Sequence, residues 1–472
     1  MTGNGGVLLE RNIFLNISPL DHRYYASNQS LFTELADFFS ENANIHYELK
    51  VEAALARVLA KRGLCSQAVA DEINKACSEV IPEEVYLEEE LTKHNIRALV
   101  NCIQRRVSDE AKPFVHFTTT SVDIMDTANA MRFKEATEKV ILPKLLELER
   151  ILINITRREK DTLQVGRTHG QHAVPVTFGF AMAEYVSRLG ARIELIRDQA
   201  QNLRGKIAGA VGAYNASSLF FDDPFEFETE VLWELGLKPS EYSNQIVAPE
   251  YLTDYIHAII SAFGVLANLA DDIRNLQRTE IGEVGEAFEA TQVGSSTMPH
   301  KRNPWNFEHV KSMWKEFMPR MITMYADQIS EHQRDLTNSA SGRFVPEIVV
   351  GFVAAVDRLT RVLRKLVVDQ ERMERNFNLT KEMVIAEPLY ILLASLGHPN
   401  AHEAVRLLTL ESQKTGKTLR ELLVEHADLF PYWTKLTSNQ REVLENPAKY
   451  IGWATQKAEA ICDNWEKRLF QS

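Results

Sequence analysis

Cysteine is scarce in this 472-residue chain: Cys65, Cys77, Cys102 and Cys462 are the whole complement, and none forms a CxxC pair. That spacing excludes a zinc ribbon or a disulfide framework and suits a reducing compartment. Long hydrophobic runs are missing too. No stretch without a charged residue exceeds the 16 residues of 255–270, short of the ~18 that suggest a membrane span, and that stretch reads as a buried core helix. The first dozen residues lack a basic segment followed by an apolar one, so no secretory signal is expected and the location is read as cytoplasmic. Positive charge is in deficit, 53 Lys plus Arg against 65 Asp plus Glu, a net −12. This argues against a sequence-independent grip on nucleic acid or an anionic membrane, while leaving room for a small anionic substrate in a local Arg/Lys pocket. Nucleotide fingerprints are absent as well. There is no GxxxxGK[ST], and Gly205, Gly209 and Gly212 follow no strand pattern; they are expected to permit a turn or a close helix approach.

What is present is helical spacing. The 45% hydrophobic and 25% charged content is that of a folded chain, and the length suggests about three domains of roughly 150 residues. Ile141, Leu145, Leu148, Leu152 and Ile155 recur at steps of four and three, an apolar stripe on one helix face. Similar periodicity runs through residues 178–203, 251–276, 310–329 and 345–368, and nothing comparable alternates with period two. The expected class is all-α. Boundaries are placed to give an N-terminal helical domain over 1–111, a central bundle over 112–364 and a C-terminal helical domain over 365–472. A buried helix almost free of charge needs apolar neighbours on every side, which helices of other subunits could supply.

Three polar islands interrupt the helices. Residues 293–307, VGSSTMPHKRNPWNF, must form a loop. Ser295 and Ser296 follow Gly294, with His300, Lys301 and Arg302 close behind, and a serine can act as a base only where cations or N–H groups stabilise its alkoxide. The plain alternative is a basic surface loop. Residues 166–179, GRTHGQHAVPVTFG, hold His169 and His172 three apart. No carboxylate or cysteine nearby in sequence completes a metal-ligand set, so proton transfer suits them better than metal; simple local hydrogen bonding would explain them too. Residues 116–132 carry a run of Thr118, Thr119, Thr120 and Ser121 ahead of Asp123 and Asp126. That pattern caps a helix, and a helix start also suits an anion.

Residues 294–304, GSSTMPHKRNP, match the GSSxMPxKxNP signature of the fumarase/aspartase superfamily, and ordered resemblances extend from Ser18 to Gly452. Within that superfamily the chain resembles the branch that acts on succinyl-purine nucleotides. Ser18 to Tyr24 resembles SPxDGRY, whose Arg23–Tyr24 pair would meet a substrate phosphate. Lys93-His94-Asn95 resembles a (N/R)HD element supplying a second active-site histidine. Thr120, Ser121 and Asp123 match TSxD. Arg167-Thr168-His169-Gly170-Gln171 matches RTHGQ, whose histidine is the general acid. Gln245 matches a substrate-binding glutamine, and residues 333–336 with Ser339 and Arg343 match QRDLxxS and a following arginine. Residues 446–452 resemble PAxYIG. His22, Asn95 and Gln292 depart from the pattern; Asn95 stands where a carboxylate would support the imidazole of His94. Two neighbouring branches fit less well. Argininosuccinate lyases normally carry Gln where His300 stands, and the carboxymuconate cycloisomerase typically lacks the histidine after Thr168.

The resemblance implies a metal-independent β-elimination without cofactor, in which adenylosuccinate gives AMP and fumarate and the succinyl-carboxamide ribotide (SAICAR) reacts in parallel. Ser295 would be the base, His169 the acid, and His94 a further catalytic residue. Arg23, Tyr24, Lys93, Asn95, Thr120, Ser121, Asp123, Thr168, Gln245, Lys301, Asn303, Arg334, Ser339 and Arg343 would bind substrate. It further implies three helical domains whose central long helices form the core of a homotetramer, each active site drawing on three chains.

Overall fold

A computed structural model describes residues 13–288, 297–298 and 300–471. Helices dominate it, as the periodicity predicts. The elements used below are α1 (Glu41–Lys61), α2 (Asn95–Gln104), α3 (Ser121–Ala136), α4 (Leu142–Arg158), β1 (Leu163–Thr168), β2 (Gln171–Thr177), α5 (Phe178–Gln201), α6 (Glu250–Leu276), α7 (Trp305–Phe317), α8 (Val345–Leu363), α9 (Gln370–Asn378) and α10 (Ala454–Phe470). The helix predicted over 310–329 divides between Phe317 and Arg320, with Pro319 standing at the start of a second short helix, because proline has no N–H to continue the first. Among the described residues, strands occur only as three two-stranded ribbons.

The chain groups into two compact units, each assembled from three stretches. The first comprises Met1–Leu145, Arg192–Gly264 and Ser312–Asp357. Its core is laid down by α1, whose Val51, Ala54, Leu55, Val58 and Leu59 are all inaccessible and which packs on α3 and on the helix Gln67–Glu79. The Ser40 hydroxyl caps α1 by accepting from the Ala43 N–H at 3.1 Å, and Glu41 and Lys61 complement the helix dipole at its two ends. The second unit comprises Leu146–Ala191, Val265–Lys311 and Arg358–Ser472. Here Trp465 of α10 presses so closely on α5 that a Cβ at Gly190 would lie 2.5 Å from its ring. A separate cluster of Leu389, Leu393, Leu408, Leu419 and Leu422 holds the C-terminal helices together. By length and composition Glu250–Leu276 and Ser339–Leu363 could cross a membrane, but the larger part of each is buried in this structure.

The predicted stripe on α4 is buried throughout, and Glu149 falls inside it, one helical turn from Leu145 and from Leu152. Glu149 is inaccessible and neither carboxyl oxygen has a hydrogen-bond partner. Burial raises its pKa well above the ordinary carboxyl value of 4.5, so the folded chain keeps a proton that the unfolded chain has lost. Stability therefore falls as pH rises above that value, until the folded carboxyl itself ionises. Glu149→Met should be more stable than the parent by ~1–3 kcal/mol at pH 8, with the advantage narrowing toward pH 4.5. Melting curves taken across that range test it; a pH-independent difference would contradict the buried acid.

Candidate active site

In the first unit the polar residues gather around the N-terminus of α3. The Thr120 N–H donates to Asp123 Oδ2 at 2.8 Å, so the carboxylate three residues on, rather than a hydroxyl of the Thr/Ser run, closes the first turn. Asp123, expected to touch substrate, is inaccessible, and its oxygens are taken up by the ammonium of Lys206 and by the N–H groups of Ala208 and Gly209. Lys206 is equally buried and also donates to the Gly209 carbonyl at 3.1 Å. Asp123 thus binds the residue 204–215 loop to α3 and leaves Thr120 and Ser121 at a fixed edge. In that loop Gly209 and Gly212 have φ of +79° and +76°. A Cβ at Gly212 would lie 1.9 Å from the Ser243 carbonyl oxygen, so these glycines permit a turn and a close backbone approach, as expected.

His94 sits at the start of α2, where its Nδ1 accepts the Arg97 N–H at 3.3 Å. That bond leaves Nε2 as the protonated nitrogen of the neutral ring, a donor on the exposed side. Asn95 does not orient this imidazole; its amide is directed instead to Met125 Sδ on α3, at 3.6 Å. The helix terminus therefore orients the ring through a donor, where a carboxylate at position 95 would have accepted from the ring and supported its charge. Lys93, exposed, holds a left-handed conformation with φ +56° just before it.

Sequence reasoning missed the pair formed by His116 and Glu52. Glu52, buried on α1, accepts from the His116 N–H at 3.1 Å and lies 2.6 Å from its Nδ1. Burial opposes charge on the imidazole, yet the carboxylate outweighs it and raises the His116 pKa. His116 and Thr118 both have positive φ, +62° and +65°, a strain of about 1–3 kcal/mol each for residues with side chains. Glu52 offsets part of this and fixes the approach to Thr120. Farther along α3, Asp126 accepts the Val247 N–H at 2.9 Å, while the Gln245 N–H donates to the Gln333 carbonyl at 3.2 Å. The Gln245 N–H is thereby held to the residue before Arg334, and Val247, two residues on, is tied to α3. Burial pushes Asp126 up to about 6, against the pull of the Val247 N–H, Lys206 and Arg334. Arg23 and Tyr24 lie on the wide turn Leu20–Tyr24, Arg23 exposed and Tyr24 half-buried; Ser339 and Arg343 are exposed on and just after the short helix Ser339–Gly342.

In the second unit His169 is not near a helix start. It occupies the tip of an antiparallel hairpin, β1–β2, that period-two patterning did not reveal. The turn pairs Thr168 with Gln171 across His169 and Gly170, whose φ values of +54° and +75° are those of a tight two-residue turn. The His-Gly dipeptide between β-rich segments was the available signal. Thr168, His169 and Gln171 are exposed, while Arg167 turns inward to the buried Glu283. His172 is held by Thr380 Oγ1 at 2.8 Å from its Nδ1, and burial, followed by the charge of Arg167, lowers its pKa. Among the described residues no cluster of three or more His, Cys, Asp or Glu is placed to hold a metal.

Ser295 and Ser296 lie outside the described residues. The segments flanking them are nonetheless tied together: Glu286 accepts from the Asn306 N–H at 2.9 Å, the Asn306 amide at 2.7 Å and the Phe307 N–H at 3.3 Å. A buried carboxylate at the start of α7 satisfies free helix donors, and burial raises its pKa against those bonds. Lys301 and Arg302 are exposed and Asn303 is half-buried, and the Lys301 N–H donates to the Met298 carbonyl at 3.0 Å.

Comparison with known proteins places this architecture. Residues 22–318 match the lyase family model, and residues 330–450 match the adenylosuccinate lyase C-terminal model. The adenylosuccinate lyase of Pyrococcus abyssi is 36% identical over 457 residues, 96% of this chain and 98% of that one. That of Methanocaldococcus jannaschii is 34% identical over 461 residues, covering 96% and 97%. The 3-carboxy-cis,cis-muconate lactonizing enzyme of Pseudomonas putida superposes with a TM-score of 0.79 at 26% identity, covering 94% of this chain and 99% of that one. With two family models in tandem and such relatives matched from end to end, the chain belongs to the adenylosuccinate lyases, carbon–nitrogen lyases of the fumarase/aspartase superfamily.

Proposed function

We propose that this lyase works in purine nucleotide biosynthesis, cleaving adenylosuccinate to AMP and fumarate and the succinyl-carboxamide ribotide to its carboxamide and fumarate. Ser295, as its alkoxide, removes the proton beside a succinyl carboxylate. This places two negative charges on one carboxylate group, which Lys301, Asn303 and backbone N–H groups stabilise, each well-aimed donor supplying about 3 kcal/mol. His169 protonates the departing nitrogen, and His94, protonated at Nε2, donates a further hydrogen bond. Arg23, Tyr24, Arg334, Ser339 and Arg343 hold the phosphate, because guanidinium forks match its oxygens; that remote grip positions the succinyl group. Lys93, Asn95, Thr120, Ser121, Thr168 and Gln245 complete the pocket, with Asp123 acting from behind.

The observation that carries this reading is the hairpin tip: an imidazole held in a strained turn, exposed, on a buttressed strand. Such placement suits an acid that meets its substrate from outside the unit. We further propose that the chain is organised as three helical segments over 1–111, 112–364 and 365–472. It would assemble as a cytoplasmic homotetramer whose sites are shared between chains. Incubation with adenylosuccinate, following fumarate, tests the function. Turnover is expected with both succinyl-purine substrates, and turnover of argininosuccinate in their place would reject the assignment.

A further inference from the structure

We propose that Glu283 is a positioning residue for the elimination, acting by fixing the hairpin that carries His169. The carboxylate is inaccessible and gathers donors from two distant segments. Gln164 Nε2 of β1 reaches it at 2.8 Å, the Arg167 guanidinium grips both oxygens, and Asn376 Nδ2 of α9 donates at 2.8 Å. Its backbone is also fixed on both sides. The Glu283 N–H donates to the Leu276 carbonyl at the end of α6, and its own carbonyl accepts from the Asp369 N–H just before α9.

The need for such an anchor follows from the hairpin. Two short strands in isolation are marginal, and the tip residues Thr168, His169 and Gly170 are exposed. Arg167 lies two residues before His169, so the forked pair with Glu283 sets the height and twist of the strand just below the turn. A guanidinium and a carboxylate meeting at two points resist rotation as well as displacement. Shifting a proton donor by about 1 Å can cost about 100-fold in rate, so loosening this joint should be read in kcat.

The inference rests on His169 being the acid, and the experiment separates the two claims. Single-turnover rates and KM are measured for Glu283→Gln, His169→Ala, Asn376→Ala and the double variant Glu283→Gln/His169→Ala, with thermal melts for each. Glu283→Gln should lower kcat about 30- to 100-fold with KM changed by less than about three-fold. In the His169→Ala background the same change should remove less than about three-fold more, because a residue that acts through His169 has nothing left to position. Equal losses in both backgrounds would mean general disruption and overturn the proposal. Should Glu283→Gln not fold, Asn376→Ala, which deletes one donor and keeps the ion pair, takes its place. It should lower kcat several-fold with the same dependence on His169, and an unchanged kcat there overturns the proposal too. Parent-like turnover by His169→Ala rejects the acid assignment itself; parent-like turnover by Glu283→Gln beside an impaired His169→Ala rejects only the positioning role.

Discussion

Ser295→Ala is expected to hold adenylosuccinate about as tightly as the parent and to release fumarate about 10²- to 10⁴-fold more slowly. In the proposed mechanism the hydroxyl oxygen contributes little to ground-state binding and matters only as it takes the proton from carbon. Losses of that kind appear in kcat rather than in KM. An alkoxide is a credible base only within a cationic setting, and His300, Lys301 and Arg302 follow within seven residues of Ser295. Lys301 and Arg302 are exposed, and the Arg302 guanidinium lies over the Phe288 ring at 5.5 Å. Ser296→Ala is the control and should remain near the parent. If the effects exchange, the base is Ser296; if neither variant slows the reaction, neither serine is the base. Fumarate absorbance in a single turnover, with binding of substrate to the inactive variant measured separately, distinguishes these outcomes.

The helices were legible because their cores depend on local spacing: the stripe from Ile141 to Ile155 can be read off one segment, and it is buried as read. The hairpin was not. Its strands are six and seven residues long, and a register shift between Val165 and Arg167 breaks the alternation that would reveal them. The same contrast divides the site. The signature segment and the Thr-His-Gly turn are contiguous in sequence and announce themselves as motifs. Glu283 and Lys206 do not, because each is buried against a partner that arrives from elsewhere in the chain. Their partners Arg167 and Asp123 stand 116 and 83 residues away. Asp123 shows what a motif leaves out: its position suggested contact with substrate, and the sequence gives no sign of its burial against Lys206 and the residue 204–215 loop.

The Lys206–Asp123 pair should give the largest stability effect in the chain. Both side chains are inaccessible, so removing one partner leaves an uncompensated charge, a loss of about 3–5 kcal/mol. The two single variants should differ. Lys206→Met leaves Asp123 with the N–H groups of Thr120, Ala208 and Gly209, which still stabilise a carboxylate. Asp123→Leu leaves the Lys206 ammonium with the Gly209 carbonyl and orphans those same N–H groups, so it should be the more damaging. The double variant Lys206→Met/Asp123→Leu buries no charge and should be less destabilised than the sum of the singles by about 1–3 kcal/mol. Denaturant unfolding at fixed chain concentration measures all four corners of this cycle. Strict additivity would mean that the ion pair does not hold the 204–215 loop against α3. With coupling present, the double variant should fold yet bind substrate more weakly, because Thr120 loses the carboxylate that fixes its N–H while the loop beside it loses its tether.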